Sequence, residues 1–138
     1  MKQFITYEQL KQLSKKGIKN LREWWVPSEG ETYVSGLQPL SLGFTITKAD
    51  VGFDRFKEVH SEALPYLSIG KMIDIIEDKW YKKSEINGVC DYIEINMDTG
   101  PSPEKNTLWF VGTKKKYFSA EVELCDALWE ATKKILEK

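Results

Sequence analysis

The chain has 138 residues, of which 41% are hydrophobic and 30% are charged, as in ordinary folded domains. This composition argues against disordered, collagen-like and membrane-spanning classes of protein. Twenty basic side chains oppose twenty-one acidic ones, so the net charge of -1 argues against bulk nucleic acid as a partner.

The first predicted helix runs from about Tyr7 to Trp25. Thr6 and Gln9 have the spacing of a capping box, and apolar residues then recur near the helical period. Gly17 interrupts this pattern at a cost of roughly 1 kcal/mol relative to alanine. The sequence is therefore compatible with one kinked helix or with two short helices.

A strand-rich stretch follows from Glu31 to Phe56. Its β-branched and aromatic residues, broken by glycine and proline, predict two or three short strands. Pro65 is expected to end an irregular passage, and Ser68 is expected to cap a short middle helix. The apolar stripe of that helix consists of Ile69, Met72, Ile73 and Ile76.

Three more strands are predicted in the second half of the chain. They cover Val89–Met97, Thr107–Val111 and the pair Tyr117 and Phe118. Gly100, Pro101 and Pro103 suit a hairpin connection between the first two strands.

The last helix is the most clearly patterned element. Ser119 is expected to cap it, with Glu121 and Glu123 near its positive end and lysines near its negative end. Its apolar stripe consists of Leu124, Cys125, Leu128, Trp129, Thr132, Ile135 and Leu136.

These elements predict a single α+β domain over residues 1–138. A mainly antiparallel sheet of about four to six strands would be packed on one face by the first and last helices. The middle helix would lie at one edge of that sheet.

One short motif suggests hydrolytic chemistry. The triplet Asp98-Thr99-Gly100 is how a homodimeric aspartic protease presents one carboxylate of its catalytic pair. Asn96 and Met97 replace the apolar residues expected before the aspartate, and Pro101 replaces a small residue after the glycine. The sequence therefore favours a hairpin loop, and a hydrolase is the third and weakest hypothesis.

Cysteine and histidine provide few catalytic or metal-binding options. Cys90 and Cys125 are 35 positions apart in apolar segments, which predicts reduced and packed thiols. His60 is the only histidine, so neither a zinc site nor a thiol enzyme is favoured. The sequence predicts no metal and no cofactor.

Two groups of residues are predicted to bind a partner. Tryptophan is enriched at interface hot spots, and Trp24 and Trp25 point about 100° apart on a helix, so one of them is expected to face a partner. The lysines Lys114, Lys115 and Lys116 lie at a predicted turn, where they would either meet an acidic or phosphate group or form a solvated hairpin tip.

Three stretches of the chain resemble a group of known proteins. They are Asn20 to Pro27 followed by Gly30-Glu31, Pro65 to Asp74, and Glu123 to Ala131. Their order and spacing resemble small accessory proteins encoded by phages and prophages of low-GC Gram-positive bacteria. The resemblance implies a genomic context and transfers no catalytic residue.

Together these observations predict a non-enzymatic cytoplasmic protein that binds a host macromolecule, for example to inhibit a defence system. The alternative is a protein that binds a small molecule and sequesters it, for instance a nucleotide signal. It would need a pocket of about 300 Å³ or more, lined by aromatic and cationic groups.

Overall fold

The structure is a computed structural model that describes residues 2–35, 44–47, 56–87, 94–98, 108–112, 117–121 and 123–138. The chain divides into two units. The first unit is Thr6–Tyr66, and the second combines Met1–Ile5 with Leu67–Lys138. Helices and antiparallel strands occur in both units, which confirms the α+β class. The expectation of a single domain stays a prediction.

The first unit begins with a short helix, α1 (Tyr7–Leu10). The capping box predicted from the sequence is present: the Gln9 amide donates to Thr6 Oγ1 at 3.2 Å, and the Thr6 amide donates to Gln9 Oε1 at 2.9 Å. These two bonds satisfy backbone groups that the helix itself leaves without partners.

A second helix, α2 (Lys15–Trp24), follows the first. Of the two interpretations left open by the sequence, two helices is therefore confirmed, but the break lies before Ser14 and not at Gly17. Ser14 caps α2, because its hydroxyl accepts a hydrogen bond from the Gly17 amide at 3.2 Å. Gly17 thus lies in the first turn of a new helix.

A three-stranded antiparallel sheet completes the first unit. Strand β1 (Thr32–Ser35) lies between β2 (Phe44–Thr45) and β3 (Ala63–Pro65). The expectation that Pro65 ends an irregular passage is wrong, since it lies opposite Tyr33 in β3. Proline is tolerated there because β3 is an edge strand of this sheet. A short helix, α3 (Phe56–Val59), precedes β3 and was not predicted.

Aromatic side chains form the core of the first unit. Trp25 and Phe56 meet edge to face with ring centroids 5.7 Å apart, and Tyr33 meets Phe56 in the same way at 5.3 Å. Trp25 Nε1 donates to Glu31 Oε2 at 3.0 Å, so the buried indole keeps a polar partner. Ile46 and Ala63 are also buried in this cluster.

The second unit contains the middle helix, α4 (Ile69–Asn87). Ser68 caps it as predicted, because its hydroxyl accepts a hydrogen bond from the Lys71 amide at 3.2 Å. Met72, Ile75 and Ile76 are buried, whereas Asp74 and Glu77 are exposed, which gives the helix one packed face.

A second antiparallel sheet follows α4. Its order is β4 (Glu94–Asp98), β5 (Leu108–Gly112) and β6 (Tyr117–Glu121). Asp98 lies opposite Leu108, so the predicted pairing of the first two strands is confirmed. The predicted hairpin connection lies outside the described residues.

The last helix, α5 (Leu124–Leu136), begins later than expected. Ser119 does not cap it, because Ser119 pairs with Val111 inside the sheet. Its hydroxyl instead donates to the carbonyl of Ala127. Glu123 occupies the N-cap position without a capping side-chain bond.

The apolar stripe of α5 is buried as predicted. Leu124 is the one member of that stripe that stays half-buried. Helix α5 packs on β5, β6 and α4. Its buried residues are Cys125, Ala127, Leu128, Trp129, Ala131, Thr132, Ile135 and Leu136.

The strands differ from the expectation in one respect. Within the described residues they form two three-stranded sheets rather than one sheet. In the first unit α2 contacts β3, and in the second unit α5 packs on β5 and β6. The middle helix packs on α5, and its place at a sheet edge stays a prediction. Among the described helices, none is long and apolar enough to cross a bilayer.

Candidate functional site

The structure separates the two tryptophans predicted to face a partner. Trp25 follows the last turn of α2 and is fully buried in the aromatic core, so it is withdrawn as a surface binding residue. Trp24 is half-buried and packs against the same core. The backbone turns from helical at Trp24 to extended at Trp25, so the two neighbouring side chains lie in different surroundings. Lys114, Lys115 and Lys116 lie outside the described residues.

The residues considered for catalysis are placed as follows. The His60 ring packs against Phe56 at 4.6 Å and Tyr33 at 5.7 Å between ring centroids, as part of the aromatic cluster. Asp98 is the last residue of β4, and Thr99, Gly100 and Cys90 lie outside the described residues. Among the described residues, no group of three or more His, Cys, Asp or Glu side chains could hold a metal ion.

Cys125 is a fully buried free thiol near the start of α5. Burial raises the pKa of this thiol; the nearby Lys2 ammonium partly opposes that shift, and Asp126 and Glu123 add to it. Lys2 is itself paired with Asp126 at 2.6 Å. A buried thiol with a raised pKa is a poor nucleophile at neutral pH.

We expect the Cys125 thiol to be protected in the native protein. In a Cys90→Ala chain, where Cys125 is the only thiol, the reaction with Ellman's reagent should be at least about 100-fold slower than in the unfolded chain. A native rate close to the unfolded rate would contradict the burial.

The raised pKa of Cys125 also predicts a pH dependence. The pKa of the Cys125 thiol in the folded protein exceeds the ordinary value of 9.0. The contribution of this thiol to the free energy of unfolding is therefore fully present below pH 9 and is lost as the pH rises through the folded pKa. Urea unfolding of wild type and Cys125→Ala, compared across that range, should show this alkaline loss only in wild type. Lys57 titrates equally in both proteins and cancels in the comparison.

Two cations join α2 to the α3–β3 segment by binding backbone carbonyls. Arg22 donates through Nη2 to the Lys57 carbonyl at 2.8 Å, and through Nη1 to the carbonyls of Ala63 and His60. In return, Lys57 Nζ donates to the Arg22 carbonyl at 2.6 Å. Lys57 thus binds a carbonyl in the last turn of α2, where an intrahelical partner is missing, and Arg22 binds carbonyls of α3, of the residue after it and of β3.

These contacts leave two positive charges close together and partly desolvated. Burial lowers the pKa of Arg22. Burial also lowers the pKa of Lys57, the Arg22 charge lowers it further, and the Glu23 carboxylate partly offsets the shift. The carbonyls accept hydrogen bonds without cancelling either charge, so this part of the surface stays positive.

An apolar groove of about 390 Å³ lies beside Arg22 in the first unit. Leu10 and Val34 are buried at its floor, and Ile18 and Leu64 are half-buried in its walls. Its volume falls within the roughly 300–1,000 Å³ typical of binding pockets. The described residues that line this apolar groove are Tyr7, Leu10, Lys11, Ile18, Arg22, Val34, Ser61, Glu62 and Leu64.

A second, more open depression of about 470 Å³ shares Ile18 and Arg22 with the apolar groove. We call it the basic depression; the two concavities together are called the α2 surface. Four of the six residues that line the basic depression are cationic. Its lining is Lys15, Ile18, Lys19, Arg22, Glu23 and Lys57.

The α2 surface follows from the spacing of residues on one helix. Lys15, Ile18, Lys19 and Arg22 recur at positions i, i+3, i+4 and i+7, which places them on one face of α2. That spacing can be found from the sequence alone. The carbonyl partners of Arg22 cannot be found in this way, because they lie 35 to 41 positions away in the chain.

Comparison with known proteins gives no further guide to the site: no family model, no curated protein and no solved structure matches this chain.

Proposed function

We propose that this is a non-enzymatic accessory protein of the phage type that binds a host protein through the α2 surface, for example to inhibit a defence system. The observation that carries the proposal is the apolar groove, whose aliphatic walls adjoin a depression lined by four cations. The host partner and the phage context rest on the sequence resemblance described above, and the cytoplasm is the compartment we propose.

The chemistry of the α2 surface suits a protein partner. Interfaces derive most of their affinity from a few apolar or aromatic side chains buried at the centre, while charged groups at the rim guide association. Ile18 lies in both concavities, and Lys11, Lys15 and Lys19 lie around it. The α2 surface thus has the centre and the rim that such an interface needs.

The alternative function, sequestration of a nucleotide signal, receives less support. The apolar groove is large enough, but Tyr7 is the one aromatic residue among the described residues that line it. Lys11 Nζ already lies 4.8 Å from the centre of that ring. The Arg22 guanidinium, which would be the natural phosphate ligand, donates to carbonyls of its own chain. The Tyr7 ring and the Arg22 guanidinium, which would stack a base and bind a phosphate, are therefore already engaged within the protein.

The third hypothesis, a hydrolase, depends on Asp98. This residue ends β4 in the second unit, whereas the α2 surface belongs to the first unit. If Asp98→Asn removed the biological effect while folding and partner binding were unchanged, a catalytic carboxylate would be required and the binding proposal would be abandoned.

Affinity capture with matched variants tests the proposed function. Wild type, Ile18→Glu and Lys16→Glu would be used as baits in host lysate, with quantitative mass spectrometry of the captured proteins. Lys16 is an exposed residue of α2 that does not line the α2 surface, so its variant controls for a charge change on the same helix.

We expect a partner protein that wild type and Lys16→Glu retain and that Ile18→Glu loses. A partner retained equally by all three baits would place the binding surface elsewhere. Native mass spectrometry of the purified protein covers the alternative, since a small ligand that stays bound without any protein partner would favour sequestration.

A further inference from the structure

We infer that the segment that binds the α2 surface is acidic and amphipathic: its apolar side chains enter the apolar groove while its carboxylates face the basic depression. This inference rests on the proposed function and adds the chemistry of the partner, which neither the resemblance nor the fold supplies.

The apolar half of the inference comes from the walls of the groove. Ile18 and Leu64 are half-buried, and beneath them Leu10 and Val34 are 1% and 5% exposed, so an entering side chain would meet aliphatic groups at the sides and the floor. Burial of apolar surface is favourable at roughly 25 cal/mol per Å², whereas a charged group placed there would lose its hydration. The groove therefore selects aliphatic or aromatic anchors.

The acidic half of the inference comes from an imbalance of charge. Of the described side chains that line the α2 surface, five are cationic and two are anionic, although the whole chain has a net charge of -1. The anionic members are Glu23 and Glu62, and both are exposed. A surface more positive than the rest of its protein attracts and orients carboxylates.

The cations of the α2 surface have different roles. Arg22 and Lys57 direct their donors at backbone carbonyls and contribute a fixed positive field. Lys15 and Lys19 are exposed on the preceding turns of α2, where they can reach a bound carboxylate. Lys19 is already paired with Glu23, but the distance between Nζ and Oε1 is 3.8 Å and both side chains are largely exposed. Lys19 can therefore leave Glu23 and pair with a bound carboxylate at little cost in free energy.

An acidic protein segment is favoured over a nucleic acid because the groove beside the cations is apolar. The Arg22 fork, which could hold either a carboxylate or a phosphate, is engaged inside the unit, so the lysines are left as point charges that attract either anion. A nucleic-acid backbone also has no apolar side chain for the groove. An acidic protein segment uses both concavities at once.

Synthetic peptides test this inference directly on the full-length protein. The first probe contains leucines at i, i+3, i+4 and i+7 with glutamates between them. The second replaces the leucines with serines, and the third replaces the glutamates with lysines. A short single-stranded oligonucleotide is the fourth probe. Each is titrated into ¹⁵N-labelled protein, and the amide chemical shifts are followed by NMR.

We expect the leucine–glutamate peptide alone to shift amides of α1, α2 and β3 in a saturable manner. Ile18→Glu should weaken this binding by more than about tenfold, and Lys19→Glu by about three- to tenfold. Lys16→Glu should change it by less than about threefold. Saturation with a serine–glutamate, leucine–lysine or oligonucleotide probe of equal affinity would overturn the inference, as would no binding of the first probe.

The two proposals can fail separately. If capture depends on Ile18 but the leucine–glutamate peptide does not bind, the partner chemistry is wrong and the binding function stands. If the peptide binds at α2 but no Ile18-dependent partner is captured, the inferred chemistry stands and the proposed function fails.

Discussion

Leu128→Ala is expected to reduce the free energy of unfolding by about 2–5 kcal/mol, one of the two largest effects predicted for this chain. Leu128 is fully buried in the middle of α5, between the buried neighbours Ala127 and Trp129. Removing its three outer side-chain carbons loses transfer free energy and leaves a cavity that the packed helix can only partly fill. Urea denaturation followed by circular dichroism measures the change.

The control for Leu128→Ala lies on the same helix. Lys134 is exposed, and Lys134→Ala should change the free energy of unfolding by no more than about 0.5 kcal/mol. A loss below about 1 kcal/mol for Leu128→Ala would mean that Leu128 is not buried and that the apolar stripe of α5 does not form the core of the second unit.

Arg22→Gln is expected to reduce the free energy of unfolding by about 1.5–3 kcal/mol. The substitution removes the charged donor shared by the carbonyls of Lys57, His60 and Ala63, which join α2 to the segment around α3. The loss reaches the upper end of this range if the three carbonyls stay shielded from water in the variant. Water that reached them would replace part of the lost hydrogen bonding. Relief of the repulsion between Arg22 and Lys57 offsets some of the loss.

Two further variants separate geometry from charge at Arg22. Arg22→Lys keeps the charge but cannot present a planar fork to several carbonyls, so it should recover only part of the stability. Lys19→Gln removes an exposed cation from the same helix and should change stability by about 0.5 kcal/mol or less. If Arg22→Gln behaves like Lys19→Gln, the carbonyl contacts do not stabilise the first unit.

Local patterns in the sequence predicted two helix caps and the buried face of the last helix. The capping box at Thr6 and Gln9, the Ser68 cap and the stripe along α5 depend on residues within a few positions of one another. Such patterns are readable because each side chain meets backbone groups or neighbours one turn away.

Features decided by distant pairing were harder to predict. Ser119 is a good capping residue, but its pairing with Val111 places it in β6, and Pro65 joins a strand because β3 lies at a sheet edge. The division of the strands between two sheets depends on the same distant contacts. Competition between local propensity and tertiary pairing explains these errors.

The candidate site shows the same limit. The sequence indicated that Trp24 and Trp25 would diverge, and the core contacts of Trp25 decided which one is buried. The repeated face of α2 could have been found by its spacing. The groove beside it could not, because its apolar lining comes from α1, β1 and β3 as well as α2.

Binding of the purified, captured partner, measured by isothermal titration calorimetry, tests most directly whether the protein acts through the α2 surface. We expect Ile18→Glu to weaken the affinity by at least about 30-fold, since a charge replaces an apolar group at the centre of the interface. Lys16→Glu should remain within about threefold of wild type. Equal affinity of Ile18→Glu and wild type, with the free energy of unfolding unchanged, would contradict the account.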